Sequence, residues 1–171
     1  MVEINVSQLL KSSIGTTRSY EIEERVDIGE DSPVVRGEVT LLRTNRGILV
    51  TGKLQTELTV TCSRCLEQFH EQATLQIEEE FFPTIDILTG AAVTVPEDEP
   101  DAFTIDQNNI LDLTEAIRQY ALMAVPMKPL CRSDCKGLCP TCGKNLNVEG
   151  CDCPPPLDPR WGKLVAEKPK E

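Results

Sequence analysis

Aromatic residues are scarce, at 4% of the 171 residues, with a single tryptophan. Any core must therefore be mostly aliphatic, and the chain has no series of rings for stacking the bases of single-stranded RNA. Histidine is scarcer still: His70 is alone, and Glu71 follows it directly. That order lacks the H-x-E element of the zinc deaminases, and Pro140 lies inside its cysteine pair where the deaminase pattern has proline before it. His70 also falls out of register with the apolar residues around it, which predicts a solvent-facing side chain. G-x-S-x-G, P-loop and dinucleotide fingerprints are all absent. No apolar run approaches the about 18 residues of a membrane helix. The opening MVEINVSQLLKSS has neither the basic start nor the continuous apolar stretch of a secretory signal. The expectation is a noncatalytic chain outside the membrane, in the cytoplasm, with its thiols reduced.

Charge is abundant but one-sided. The formal net charge is -11, which opposes nonspecific binding of nucleic acid by the whole surface. Residues 1–117 hold 8 Lys/Arg against 22 Asp/Glu, and residues 118–171 hold 9 against 6. An anionic partner should meet the C-terminal third, where Lys128, Arg132, Lys136 and Lys144 are the candidate contacts with RNA or another partner. The same four cations could instead offset bound thiolates, since a four-cysteine zinc centre has a formal charge of about -2.

Cysteine is the residue the chain has in excess. Six of the eight lie between Cys131 and Cys153, as CRSDC, CPTC and CDC, and the remaining pair is Cys62-Ser63-Arg64-Cys65. Closely spaced pairs suit tetrahedral zinc, because two thiolates on one tight turn can each reach ~2.3 Å from a shared ion. Cys139-Pro140-Thr141-Cys142-Gly143 has the form of a zinc knuckle, with proline fixing one φ and glycine free to take a positive one. Two sets of four predict two structural zinc ions. The preferred partition joins Cys62/Cys65 to Cys131/Cys135, and Cys139/Cys142 to Cys151/Cys153. Spacing leaves open Cys131/Cys135 with Cys139/Cys142, and one zinc in place of two. Disulfides are the competing chemistry, and they need an oxidising compartment.

Hydrophobic periodicity points to an α+β fold: an antiparallel β-meander packed with a helix, followed by a cysteine-rich zinc-knuckle module. Val2, Ile4 and Val6 alternate as in a strand, Ser7 is placed to cap a short helical turn, and Tyr20 and Ile22 mark another strand. Residues 34–82 read as the meander. Ile48, Val50, Leu54, Leu58 and Val60 keep an even register up to Cys62. Phe69, Ala73, Leu75, Ile77 and Phe81 keep an odd one after Cys65. Cys62 and Cys65 thus fall at the tip of a long hairpin. Residues 83–109, with PEDEPD at 96–101, read as an acidic loop. In LDLTEAIRQYALMAVP, Asp112 and Glu115 have capping-box spacing, and Leu113, Ile117, Tyr120, Ala121 and Ala124 form one apolar face. The expected division is a body over 1–126 and a module with tail over 127–171. Prolines 154–156 act there as a stiff spacer, and Trp161 is expected to dock on the body.

CSRCLEQF, ILDLTEAIRQYALMAVPMKPLC, CKGLCPTCGKNLN and the ending DPRWGKL together resemble the bacterial YceD family over almost the whole chain. Its members are described as large ribosomal RNA subunit accumulation proteins, with plastid relatives. The resemblance implies a noncatalytic role in the synthesis, processing or stability of large-subunit ribosomal RNA. The partner would be that RNA or a ribosomal protein of the assembling subunit. Because members vary in cysteine content, it also implies that zinc here is structural. The alternative is a zinc-dependent redox thiol switch or chaperone-like protein: CPTC and CDC resemble in composition, though not in order, the switches of oxidation-activated chaperones.

Overall fold

The structure, a computed structural model, describes residues 1–29, 31–93, 102–154 and 160. It separates into two compact units: Met1–Val60 with His70–Met127, and Thr61–Phe69 with Lys128–Glu171. The chain therefore leaves the first unit at the end of one long strand and re-enters it early in the next.

The protein is mostly β-sheet. Its strands are β1 (Glu3–Asn5), β2 (Thr17–Arg25), β3 (Val34–Arg43), β4 (Ile48–Thr61), β5 (Gln68–Pro83), β6 (Thr104–Ile105) and β7 (Ile110–Asp112), with helices α1 (Ser7–Leu10) and α2 (Thr114–Ala124). The strands form one sheet in the order β1-β7-β6-β5-β4-β3-β2. Antiparallel pairing runs from β2 to β3 and from β3 to β4, with Leu41 opposite Val50. Alternation works as the pleat requires: Ile48, Val50, Leu54, Leu58 and Val60 are buried on β4, and Ala73, Leu75, Ile77 and Phe81 on β5. Thr56 shares that buried register, and its hydroxyl donates to Val34 O at 3.2 Å. The turn between β3 and β4 is tied by Thr44, whose Oγ1 accepts from Gly47 N at 2.8 Å and donates to Glu80 Oε1 at 2.6 Å. A side chain at Gly47 would run into the backbone carbonyl of Phe81.

The other half of the sheet corrects the simple meander. There the sheet is mixed: β6 lies parallel to β5, with Phe82 opposite Thr104, and antiparallel to β7, which pairs in turn with β1. β6 and β7 have two and three residues, too few to show an alternation in sequence, and long-range partners define them; β1 is as short, but the alternation of Val2, Ile4 and Val6 marks it. The supposed acidic loop accordingly carries structure among its described residues. Ile85 bridges to Ala92, Phe103 stacks on Phe81 with ring centroids 5.2 Å apart, and β6 begins at Thr104. PEDEPD, at 96–101, lies outside the described residues, as do prolines 155 and 156 and Trp161.

Both expected helix caps are also corrected. Val6 takes the N-cap position of α1, and the first free N–H, that of Ser7, donates to Asn5 Oδ1. Asp112 Oδ1 accepts from Thr114 N at 2.9 Å, but Glu115 does not return the bond; it is held by Arg118 and Gln119. Those side-chain bonds, Arg118 first, pull the Glu115 carboxyl down to about 2. With both side chains close to half exposed, the pair adds only a few tenths of a kcal/mol. What fixes α2 is burial of Leu113, Ala116, Ile117 and Ala121. Tyr120 extends that face, donating its hydroxyl to Glu79 Oε1 at 3.0 Å. No helix among the described residues is long and apolar enough to cross a membrane.

Ile117→Ala removes a fully buried side chain and should cost about 2–5 kcal/mol in denaturant unfolding. Leu122→Ala, at a position 51% exposed, should stay within about 0.5 kcal/mol.

Candidate metal centres

The turn after β4 is built by short backbone bonds. Leu66 N donates to Cys62 O at 3.0 Å and Cys62 N to Glu67 O at 2.9 Å, which folds Cys62 and Cys65 onto the same side. The C-terminal segment is tied to this turn by hydrogen bonds to the backbone, among them a bond from the Ser63 hydroxyl to Pro129 O at 3.0 Å. Ser63 N donates to Pro129 O at 2.9 Å, Arg64 Nη1 to Cys135 O at 2.8 Å, and Leu138 N to Arg64 O at 3.2 Å. The result is a small buried cluster of Cys62, Cys65 and Cys135, covered by Phe69, Leu130 and Cys131.

A second turn of the same design follows. Gly143 N donates to Cys139 O at 2.9 Å, and Gly143 has φ of +73°. Leu138 and Asn145 form an antiparallel bridge across its base, with Cys139 N donating to Lys144 O at 2.8 Å. The Cys151 and Cys153 thiols complete the group.

The sulfurs meet in two sets of four: Cys62, Cys65, Cys131 and Cys135, and Cys139, Cys142, Cys151 and Cys153. Within each set all lie within 4.8 Å of one another. A regular tetrahedron with Zn–S of ~2.3 Å has S···S edges of ~3.8 Å. Cys62 Sγ and Cys135 Sγ are 3.8 Å apart, and Cys65 Sγ and Cys131 Sγ are 3.7 Å apart. A disulfide would need ~2.05 Å, and all eight cysteines are unbridged. Number, softness and spacing of the donors fit a four-thiolate ion such as zinc. The first set is the more enclosed; in the second, Cys139 is buried, Cys151 and Cys153 are half-buried and Cys142 is exposed.

Electrostatics separates the sulfurs within each set. Backbone hydrogen bonding from Cys131, then from Cys65, pulls the Cys62 thiol down to about 6. Backbone bonds from Cys142 and Thr141 do the same for Cys139, also to about 6, and Thr141 N lies 3.4 Å from its sulfur. Desolvation and the neighbouring Cys65 sulfur push Cys131 up to about 12, and the Cys142 sulfur with desolvation pushes Cys153 to about 12. Sulfurs this close oppose one another's ionisation. A divalent cation at equal reach of all four would reverse that opposition.

Asn147 links the two turns and carried no signal in the sequence pattern. Its Nδ2 donates to Cys135 Sγ at 3.3 Å and to Asn145 Oδ1 at 2.8 Å, and its Oδ1 accepts from Lys136 N at 2.8 Å. It thus joins the second turn to a sulfur of the first set, as outer partners of metal ligands do. Arg64 was likewise missed; it reads as a generic exposed cation until the tail is folded against it.

The four candidate contact cations are all exposed. Arg132 lies 3.8 Å from Asp134 and Lys144 lies 3.6 Å from Glu149, so two of them have acidic neighbours. His70 projects from β5 to solvent, with Nδ1 3.4 Å from Thr59 Oγ1. It lines a shallow polar groove of about 630 Å³ with Arg25, Arg36 and Gln72.

A β-rich body interrupted by a small unit with two four-cysteine clusters defines the structural class. Residues 50–166 match the family described as large ribosomal RNA subunit accumulation protein YceD, and the chain belongs to this YceD family. Uncharacterized proteins of Mycobacterium bovis and Mycobacterium tuberculosis are 34% identical to it over 122 residues, 71% of this chain and 56% of theirs. A chloroplastic protein of Arabidopsis thaliana, named large ribosomal RNA subunit accumulation protein YCED homolog 1, is 25% identical over 170 residues, 87% of this chain and 51% of its own. The chain therefore spans about half the length of the curated relatives it matches. No solved structure matches it.

If each set holds one zinc ion, Cys62→Ser should lower the bound zinc from two ions to one and expose the chain to limited proteolysis after Lys128. It should also lower the melting temperature by more than about 10 °C. Cys142→Ser should also remove one ion, with new cleavage confined to residues 139–153. Native mass spectrometry of both variants reads the ion count.

Proposed function

We propose that the protein is a noncatalytic factor in biogenesis of the large ribosomal subunit, supporting the accumulation of its ribosomal RNA. Two structural zinc ions would hold its smaller unit together. The observation that carries this is the match to the accumulation-protein family over residues 50–166, a span that contains all eight cysteines. The zinc ligands would be Cys62, Cys65, Cys131 and Cys135 for one ion, and Cys139, Cys142, Cys151 and Cys153 for the other. With all four positions of each ion filled by thiolate, neither has an open site for activating water, and the metal's work is architectural.

The proposed site of action is the cytoplasm, on assembling large-subunit particles. Lys128, Arg132, Lys136 and Lys144 surround the sequence of the cysteine turns. In this scheme they reduce the negative charge of the two thiolate centres and meet the partner at its rim. A thiol switch is the competing class, and cell physiology separates the two.

In cells depleted of the protein, large-subunit ribosomal RNA should fall relative to small-subunit RNA and large-subunit precursors should accumulate in sucrose gradients. Normal profiles together with sensitivity to peroxide would instead assign the protein to redox protection.

A further inference from the structure

Three residues, 136–138, separate Cys135, the last sulfur of the first set, from Cys139, the first of the second. They are bonded on both sides. Leu138 N donates to Arg64 O in the first turn, while Gly137 O accepts from Leu146 N at 2.9 Å and Lys136 N donates to Asn147 Oδ1 at 2.8 Å. Leu146 and Asn147 belong to the eight-residue loop, 143–150, that runs between the two cysteine pairs of the second set. The Asn147 carboxamide has its orientation fixed by what it faces. Lys136 N is a donor, so the atom toward it is oxygen, which turns Nδ2 toward two acceptors, Asn145 Oδ1 at 2.8 Å and Cys135 Sγ at 3.3 Å. The reverse orientation would set N–H against N–H and oxygen against sulfur. A residue in the loop of the second set thus holds a sulfur of the first.

Loop length sets an order. The second set closes eight residues of chain between its pairs, whereas Cys65 and Cys131 of the first set are 66 residues apart. The longer closure costs more chain entropy, so the second set assembles at the lower metal concentration. We infer that the two centres fill in order, the second before the first, and that Asn147 is the positioning residue that makes the first depend on the second. The inference rests on the two-zinc reading proposed above. While the 143–150 loop is open, Asn147 moves with it and Cys135 lacks its N–H donor. Once Cys139, Cys142, Cys151 and Cys153 are held together, the loop presents the amide to Cys135 already aimed. The charge on that thiolate is then hydrogen-bonded when the first set closes on its ion. Outer partners of this kind are worth about 10–100-fold in metal affinity. The coupling is one free energy shared between two sites. The unit is stable with both centres filled or with the second alone, and the first alone is the disfavoured state. The junction between Cys62 and Cys135 therefore forms in a chain that has already taken up metal, which ties it to zinc supply.

The test places the full-length chain, under reducing conditions, in solutions whose free zinc is set by a chelator buffer. Alkylation of unprotected cysteines, read by peptide mass, gives the occupancy of each set. In wild type the second set should be protected at lower free zinc than the first. Asn147→Ala should raise the free zinc needed by the first set at least about 10-fold and leave the second within about 2-fold. Replacing Cys139 and Cys142 together by serine should weaken the first set by a similar factor. Adding Asn147→Ala to that pair should change it by less than about 2-fold. Asn147→Asp keeps the acceptor for Lys136 N but has no N–H for sulfur, so its first set should bind no better than that of the alanine variant. With cobalt in place of zinc, the loaded alanine variant should keep a four-sulfur spectrum. Its thiolate-to-metal charge-transfer band should move to longer wavelength, because one sulfur has lost its hydrogen bond. A first set that fills before the second, an unshifted first set or band in Asn147→Ala, or full recovery by Asn147→Asp overturns the inference. So does an equal loss at both sets, which is general damage, or an equal effect of Asn147→Ala with and without the cysteine pair, which confines Asn147 to a local role. If wild type holds two ions and any of these is seen, only the ordered loading fails. If wild type never holds two ions, the two-zinc reading fails and the inference with it.

Discussion

Four sulfurs drawn from two distant stretches of chain are the constraint on which the smaller unit depends. Cys62 and Cys135 are 73 residues apart in sequence, and their sulfurs are 3.8 Å apart in the structure. Closing a loop of that length costs on the order of 4 kcal/mol in chain entropy. The apolar cluster at the junction is small, with Phe69 and Leu130 its only non-cysteine members among the described residues. A few backbone bonds and one small cluster do not offset that cost by a wide margin. A structural zinc ion does, since such sites supply about 10–16 kcal/mol in small peptides. The proposed ion also resolves the electrostatic opposition among neighbouring thiolates, so one interaction meets both demands.

The first unit needs no such device. Its aliphatic core is continuous along β4 and β5 and under α2, and its ladders and buried Ile117, Leu111 and Phe81 account for its order. The division of labour follows from composition. Where the chain has alternating aliphatic residues it builds a sheet, and where it has cysteine, proline, glycine and charge it needs a cross-link. A rigid surface is the natural product of such an arrangement, and the role proposed for it is noncatalytic. That agrees with a family named for RNA accumulation and not for a reaction.

Much of this was legible in the sequence because it is local. Period-two alternation up to Cys62 and after Cys65 located the hairpin, and cysteine spacing marked out four pairs and a preferred grouping while leaving another open; the structure supplies which sulfurs meet. That they hold zinc remains the proposal. What was not legible depends on contacts between distant residues or on backbone conformation. The two-residue β6 exists only through β5 and β7. Asp112 and Glu115 have the spacing of a capping box, but Arg118 competes for the glutamate. Asn147 is one asparagine among several until Cys135 lies beside it. The positive φ of Leu66 is hidden because residue type predicts the opposite; only its position after Cys65, equivalent to that of Gly143 after Cys142, contained the signal.

X-ray absorption at the zinc edge of the protein purified under reducing conditions tests the central claim most directly. Two all-cysteine centres predict two zinc ions per chain and a single shell of four sulfurs at ~2.3 Å, with no nitrogen or oxygen near 2.0–2.1 Å. A shell containing nitrogen or oxygen, or a folded chain with fewer than two zinc ions, would contradict it.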